Sequence, residues 1–98
     1  MKIVILDEAE QDLVDGFGFY ESQSVGLGDY FLDSIFKDIK SLNIYAGVHA
    51  LYFGYHRFLT KRFPFAVYYR IESQIVRVYA ILDCRRNPSW IWNRLKCQ

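Results

Sequence analysis

The sequence predicts an α+β domain in the order β-α-α-β-β-β, with a helical hairpin packed on one face of a mostly antiparallel sheet. Three observations carry that prediction. Residues 7 to 42 repeat apolar side chains at helical spacing, interrupted once by glycines. Residues 54 to 83 run instead through aromatic and β-branched residues separated by tight turns, which is the pattern of strands. One short β-branched run precedes both. Ninety-eight residues, half of them hydrophobic, suffice for one domain over 1–98 with a core of its own.

The first element is "KIVIL" (2–6), a short buried strand. Asp7 with Glu10 three residues later reads as a capping-box-like helix start, with Leu6 in the place of a hydrophobic staple. Ala9, Leu13, Phe17 and Tyr20 then form one apolar stripe. Gly16 and Gly18 sit inside this helix, each costing about 1 kcal/mol relative to alanine, and suggest either close packing of another element or a frayed or bent helix. "SVGLGD" (24–29) ends the helix at its glycines. A second stripe follows, made of Leu27, Phe31, Ile35, Ile39 and Leu42 with Leu32 alongside, and completes an αα-hairpin. "GYHRFLT" (54–60) reads as a strand, and "KRFP" turns the chain into "FAVYYRI" (65–71). "ESQ" (72–74) makes a tight loop before "IVRVYAILD" (75–83). In that last strand Val76, Val78, Ala80 and Leu82 are expected to form one continuous apolar face for the helices, leaving a half-polar face with Arg77 and Tyr79. "PSWIWNRLK" (88–96), with Pro88 near its first turn, has the makings of a short C-terminal helix.

The net charge of +1 conceals an asymmetry. Residues 1–45 hold three basic residues against nine acids, while residues 46–98 hold nine basic residues against Glu72 and Asp83 alone. Acidic helices facing a basic sheet explain part of this. The remainder points to a basic surface with an anionic partner. No small-residue cleavage pattern follows the first apolar run, and no run is long enough to span a bilayer, so a cytoplasmic chain without a membrane partner is expected. Cys84 and Cys97 are then thiols, and with His49 and His56 they match no metal-ligand spacing. Neither a metal nor a cofactor is expected.

Four stretches, "LDEAEQDL", the two-helix hairpin, "FAVYYRIESQIVRVYAIL" and "DCRRNP", together resemble the RelE/ParE family, the toxins of bacterial type II toxin–antitoxin systems, which include plasmid stabilisation systems. The resemblance spans nearly the whole chain. It implies a growth inhibitor neutralised by a cognate antitoxin, but two activities occur in the family. RelE-like members cut messenger RNA on the ribosome, whereas ParE-like members poison DNA gyrase by binding it, and fold alone does not choose between them.

Cutting a phosphodiester through the 2′-hydroxyl needs a base, an acid for the leaving oxygen, and positive charge for the developing oxyanion. The resemblance matches Arg57 and Arg86 to two catalytic arginines of the RNA-cutting members. It puts Ala66 where those members carry a basic residue in the middle strand. It also puts Trp92 near their C-terminal tyrosine, and tryptophan has no proton to give for this work. The set is therefore partial. His56, on the opposite face of its strand from Arg57, reads as an ordinary half-buried residue rather than a base. Tyr55 shares a face with Arg57, as Tyr68 does with Arg70, and Cys84 reads as a small filler at a turn.

The adjacent Arg85 and Arg86, beside Asp83, suit a phosphate or an acidic partner that guanidinium forks grip bidentately. With Lys61 and Arg62 they are the expected target-binding residues. The apolar stretch "VHALYFG" (48–54) and its approach, with Tyr45, Val48, Leu51, Tyr52 and Phe53, is the expected seat of the antitoxin. The favoured reading is ParE-like, inhibiting gyrase by binding. The alternatives are a RelE-like ribosome-dependent endoribonuclease, or a family member that only binds its antitoxin.

Overall fold

The computed structural model describes residues 1–96; Cys97 lies outside the described residues. The chain runs through β1 (Lys2–Ile5), α1 (Asp7–Glu21), α2 (Leu27–Lys40), α3 (Leu42–Tyr45), β2 (Leu51–Tyr52), β3 (Tyr55–Leu59), β4 (Phe65–Glu72), β5 (Ile75–Asp83) and α4 (Pro88–Lys96). The five strands form one sheet in the order β1-β5-β4-β3-β2, with β1 parallel to β5 and every other pairing antiparallel. This is the α+β architecture expected, with two small additions: α3, which takes Leu42 out of the second helix, and β2 inside the stretch read as a loop.

The helical hairpin packs where its stripes dictate. Ala9, Leu13 and Tyr20 of α1 and Phe31, Ile35 and Ile39 of α2 are buried against Phe58, Val67, Tyr69, Val76, Val78 and Ile81 of the sheet. The turn between the helices is closed by Glu21, whose carboxylate accepts from the N–H of Gly26 (3.0 Å) and of Gly28 (2.9 Å). A residue at the end of α1 thus satisfies the orphan donors that begin α2. Gly26 has φ 89°, which a glycine adopts freely. The start of α1 differs from the capping box expected. Leu6 is its N-cap, with no side-chain cap bond, and Asp7, Glu8 and Glu10 lie in the first turn, where they complement the dipole.

The largest departure from simple alternation lies in β5. Tyr68 pairs with Ala80 but Tyr69 pairs with Val78, so Tyr79 is an extra residue, a β-bulge. Val76 and Val78 face the helical hairpin, whereas Ala80 and Leu82 face the other side and Ile81 takes their place. The continuous face expected from Val76 to Leu82 is therefore split. The second face keeps the expected half-polar character toward the β4–β5 turn, where Arg70, Glu72, Arg77 and Tyr79 lie, but toward its other end Tyr55, Ala66, Tyr68, Ala80 and Leu82 bury themselves against Ile91 and Leu95 of α4. The predicted C-terminal helix forms and roofs a second core. The β4–β5 turn is tighter than "ESQ", since Glu72 and Ile75 pair and only Ser73 and Gln74 turn, both with positive φ.

Candidate functional site

Two loops meet at one end of the sheet, because β3 and β4 are joined there and β5 ends beside them. Phe65 pairs with Asp83, and the Cys84 N–H donates to the Pro64 carbonyl at 2.8 Å. Lys61 and Arg62 of the first loop and Arg85 and Arg86 of the second therefore share an end of the molecule, all four exposed. Their guanidiniums differ in what they hold. Arg85 donates to both oxygens of Asp83, through Nε at 3.0 Å and Nη2 at 2.7 Å, and this bidentate pair holds the Asp83 carboxyl below its ordinary pKa. Arg86 forms no direct ion pair among the described residues, though its charge also helps to lower the Asp83 pKa, and it lies 4.3 Å over the Trp90 ring. Arg62 reaches the Tyr30 hydroxyl (3.2 Å), and the Lys61 loop is tied down by its backbone N–H donating to the buried Asp38 (3.0 Å).

Beside Arg86 opens a cleft of about 440 Å³ between α1, the end of β5 and α4, bounded by Asp12, Asp15, Phe19, Trp90 and Arg94. It exists because β1 ends early: the Leu6 N–H donates to the Val78 carbonyl, and β5 continues past it with a free edge. Asp12 fills part of that edge. Its Oδ2 accepts from the Ile81 N–H at 3.0 Å and from Arg94 Nη2 at 2.8 Å, while Oδ1 accepts from Arg94 Nη1 at 2.7 Å. Burial raises the Asp12 pKa, and Arg94 opposes the rise. One carboxylate thus joins α1, the sheet and α4. Nothing in the local sequence announces it, because its partners are 69 and 82 residues away.

Arg57 is elsewhere, under the second face. It sits opposite Tyr68 on β4, which is opposite Ala80 on β5, roughly 10 Å along the strands from the end of the sheet where Arg86 stands. Its guanidinium lies 4.9 Å over the Tyr52 ring. Arg57 Nε and the Tyr68 hydroxyl are both sealed from solvent, and neither finds a partner of good hydrogen-bond geometry. The guanidinium is nonetheless close enough to offset part of the rise that burial gives the Tyr68 pKa. The covering is completed by Phe53, at φ 55° in the tip of the β2–β3 hairpin, whose ring meets Trp92 of α4 at 4.7 Å. The structure does not bring Arg57 and Arg86 to one point. His56 is turned the other way, as alternation requires: it stacks on Tyr69, and its Nδ1 engages the His49 carbonyl at 2.7 Å.

The five apolar residues expected to seat a partner divide into two groups. Tyr45, Val48 and Leu51 are exposed, together with Ile44. Tyr52 and Phe53 fold back toward Tyr68 and Trp92. A larger apolar groove of about 670 Å³ lies between β1, α1 and α2, lined by Ile3, Ile5, Val14, Phe17, Leu32 and Phe36. Sequence reasoning missed it, although Val14 and Phe36 stand just off the two helical stripes and signalled a surplus of apolar surface. Among the described residues no group of three His, Cys, Asp or Glu is placed to hold a metal, and no helix is long and apolar enough to cross a membrane.

A two-helix hairpin on a five-stranded sheet, with a C-terminal helix on the opposite face, defines the class of fold. That fold is shared with a chain of the chromosomal ParDE TA system from P. aeruginosa, at a TM-score of 0.72 over 83% of this chain and 92% of that one, with 18% identity. No family model and no curated protein matches the sequence.

Proposed function

We propose that the protein is the growth-inhibiting member of a toxin–antitoxin pair, acting in the cytoplasm by gripping a protein target, with DNA gyrase favoured, rather than by cutting RNA. The observation that carries this reading is the second core. Helix α4 packs over the core that holds the fully buried Tyr68, its neighbour Arg57 is half-buried against Tyr52, and Arg86 stands apart at the end of the sheet. Cleavage needs an acid, a base and an oxyanion donor around one phosphate, and no such convergence accompanies these arginines. Gripping needs only an exposed, rigid, charged surface. Arg86, stacked on Trp90 and making no direct ion pair among the described residues, fits that role together with Lys61 and Arg62, while Arg85 spends its fork on Asp83. The fold shared with a ParDE chain supports the same reading. For the antitoxin, the uncovered apolar groove beside β1 and the ridge of Tyr45, Val48 and Leu51 offer seats.

The test is induced expression in bacteria at matched soluble levels, followed by purified-component assays of gyrase supercoiling and of messenger RNA integrity in a translation extract. The reading requires growth arrest with lost supercoiling and intact RNA. Arg86→Ala should weaken target binding by roughly 2 to 5 kcal/mol, and Arg85→Ala by much less. RNA cut at discrete sites, with gyrase unaffected, would replace this reading with the endoribonuclease. Arrest by neither route would leave an antitoxin-binding module.

A further inference from the structure

A cationic pair that none of the roles above uses lies at the opposite end of the second face. Arg70 and Arg77 are directly opposite each other on β4 and β5. Like charges at directly opposed positions repel and destabilise a sheet unless an anion joins them. Among the described residues one anion is supplied, Glu72. Arg77 Nε is 3.2 Å from Glu72 Oε1, and that same oxygen accepts from the Tyr79 hydroxyl at 2.9 Å. Arg70 has no carboxylate among the described residues. Its guanidinium lies 4.0 Å over the buried Tyr55 ring and 5.5 Å from Tyr79, with one long contact of 3.4 Å from Nε to the Gly54 carbonyl. A guanidinium stacked on a ring keeps its N–H groups in its own plane, so the stack orients the fork without consuming it.

We infer that Arg70 and Arg77 form a docking point for an acidic peptide segment of a protein partner, a carboxylate of which bridges the two forks. A peptide suits the surroundings better than a nucleic acid. A single strand of RNA or DNA binds by stacking its bases on free aromatic faces along a continuous basic track. Here the Tyr55 and Tyr68 rings are buried, Arg70 lies on Tyr55, and Glu72 interrupts the positive charge. Apolar surface is available close by: Gly54, which Arg70 touches, follows Phe53, and Phe53 and Trp92 are 40% and 41% exposed. An acidic residue flanked by leucine or a similar side chain would engage both features. The inference stands whether the partner is an antitoxin, a target or neither, so its failure leaves the proposed function untouched.

The experiment follows the arginine Nε–Hε signals of the whole chain by NMR at physiological salt. The probes are a short peptide alternating glutamate and leucine, the same peptide with lysine for glutamate, and oligouridylate. The expected result is saturable movement of the Arg70 and Arg77 signals with the glutamate peptide alone. Arg70→Gln should then raise its half-saturating concentration by roughly tenfold or more, and Arg70→Lys, which keeps charge but loses the fork, should rescue little. Glu72→Gln, which removes the competing carboxylate, should tighten binding. Movement with oligouridylate at lower concentration than with the peptide would overturn the inference in favour of nucleic acid. No movement, equal movement of all exposed arginines, or weaker binding by Glu72→Gln would overturn it outright.

Discussion

Removing the Asp12 carboxylate should be the most damaging single change outside the hydrophobic cores. The Arg94 and Asp12 side chains are 19% and 11% exposed, so the pair is nearly desolvated. Breaking one partner of a buried pair typically costs about 3 to 5 kcal/mol, because the remaining charge is stranded. An orphaned Ile81 N–H adds a desolvation penalty of roughly 1 to 3 kcal/mol. The two are not additive, and Glu8 still offers Arg94 a carboxylate oxygen at 3.5 Å. Asp12→Ala should therefore cost about 3 to 4 kcal/mol, on the order of 15 °C in Tm for a domain of this size. Arg94→Met strands the carboxylate instead, and its cost carries a pH signature. The Asp12 pKa is raised by burial already, and without the arginine that opposes the rise it climbs further. A group whose folded pKa exceeds its unfolded value loses stability as pH rises between the two. Arg94→Met should thus lie closer to the parent near pH 4 than at pH 7, whereas Asp12→Ala lacks that dependence. Urea titrations of both variants and the double variant at the two pH values complete the cycle. Strictly additive losses, or an Arg94→Met penalty that does not grow with pH, would refute the keystone role.

The two glycines of α1 should respond oppositely to alanine: Gly16→Ala drives its Cβ to 2.6 Å from the Phe31 ring and should cost about 1 to 3 kcal/mol, while Gly18→Ala meets nothing within 4 Å and should gain up to about 1 kcal/mol, both read from thermal melts. Reversing Lys61 and Arg62 to glutamate should shift stability by less than about 1 kcal/mol, since the loop is held by a backbone N–H, yet weaken target binding in a pull-down; equal losses of both would assign the charges to folding. His49 Nδ1 shares a hydrogen bond with the Tyr69 hydroxyl, and burial, with the neighbouring His56, lowers its pKa below the ordinary 6.5. Its contribution is therefore complete above about pH 6.5 and lost as pH falls through the folded value, so the urea midpoint should drop between pH 7 and pH 5 by less in His49→Gln than in the parent.

Much of the fold was legible because it rests on period. The stripes of α1 and α2, the strands at 55–59, 65–72 and 75–83, and the Pro88 helix all follow from local spacing. What escaped depends on partners far apart in sequence. "IVRVYAILD" is apolar on both faces after Val78, so nothing local says that Tyr79 bulges and reverses the alternation. A two-residue β2 and a four-residue α3 are too short to carry a period. Arg57 and Arg86 could be named as candidates from the sequence, but not their separation, which the strand register sets. The charge asymmetry was half explained. Glu8 and Asp12 of the acidic half do meet Arg94 of the basic half, while Arg70 and Arg86 meet aromatic rings instead.

The bulge links these outcomes. By inserting Tyr79, β5 hands Ala80 and Leu82 to the second face, beside Ala66 on β4. Two alanines and a leucine make a shallow floor, and Ile91 and Leu95 of α4 settle on it, both nearly fully buried. With α4 seated, Leu95 accepts the Tyr55 hydroxyl proton at 3.1 Å, Arg94 reaches Asp12, and Trp92 meets Phe53. Those contacts close the face over Tyr68, while Arg57 stays half-buried under Tyr52. Without the extra residue, Ile81 and Asp83 would point at α4, and the β-branched side chain and the charge would leave it no comparable floor. The proposed preference for gripping over cutting therefore leans on one residue of strand register: it decides whether α4 has a floor beside Tyr68, the cross-strand partner of Arg57.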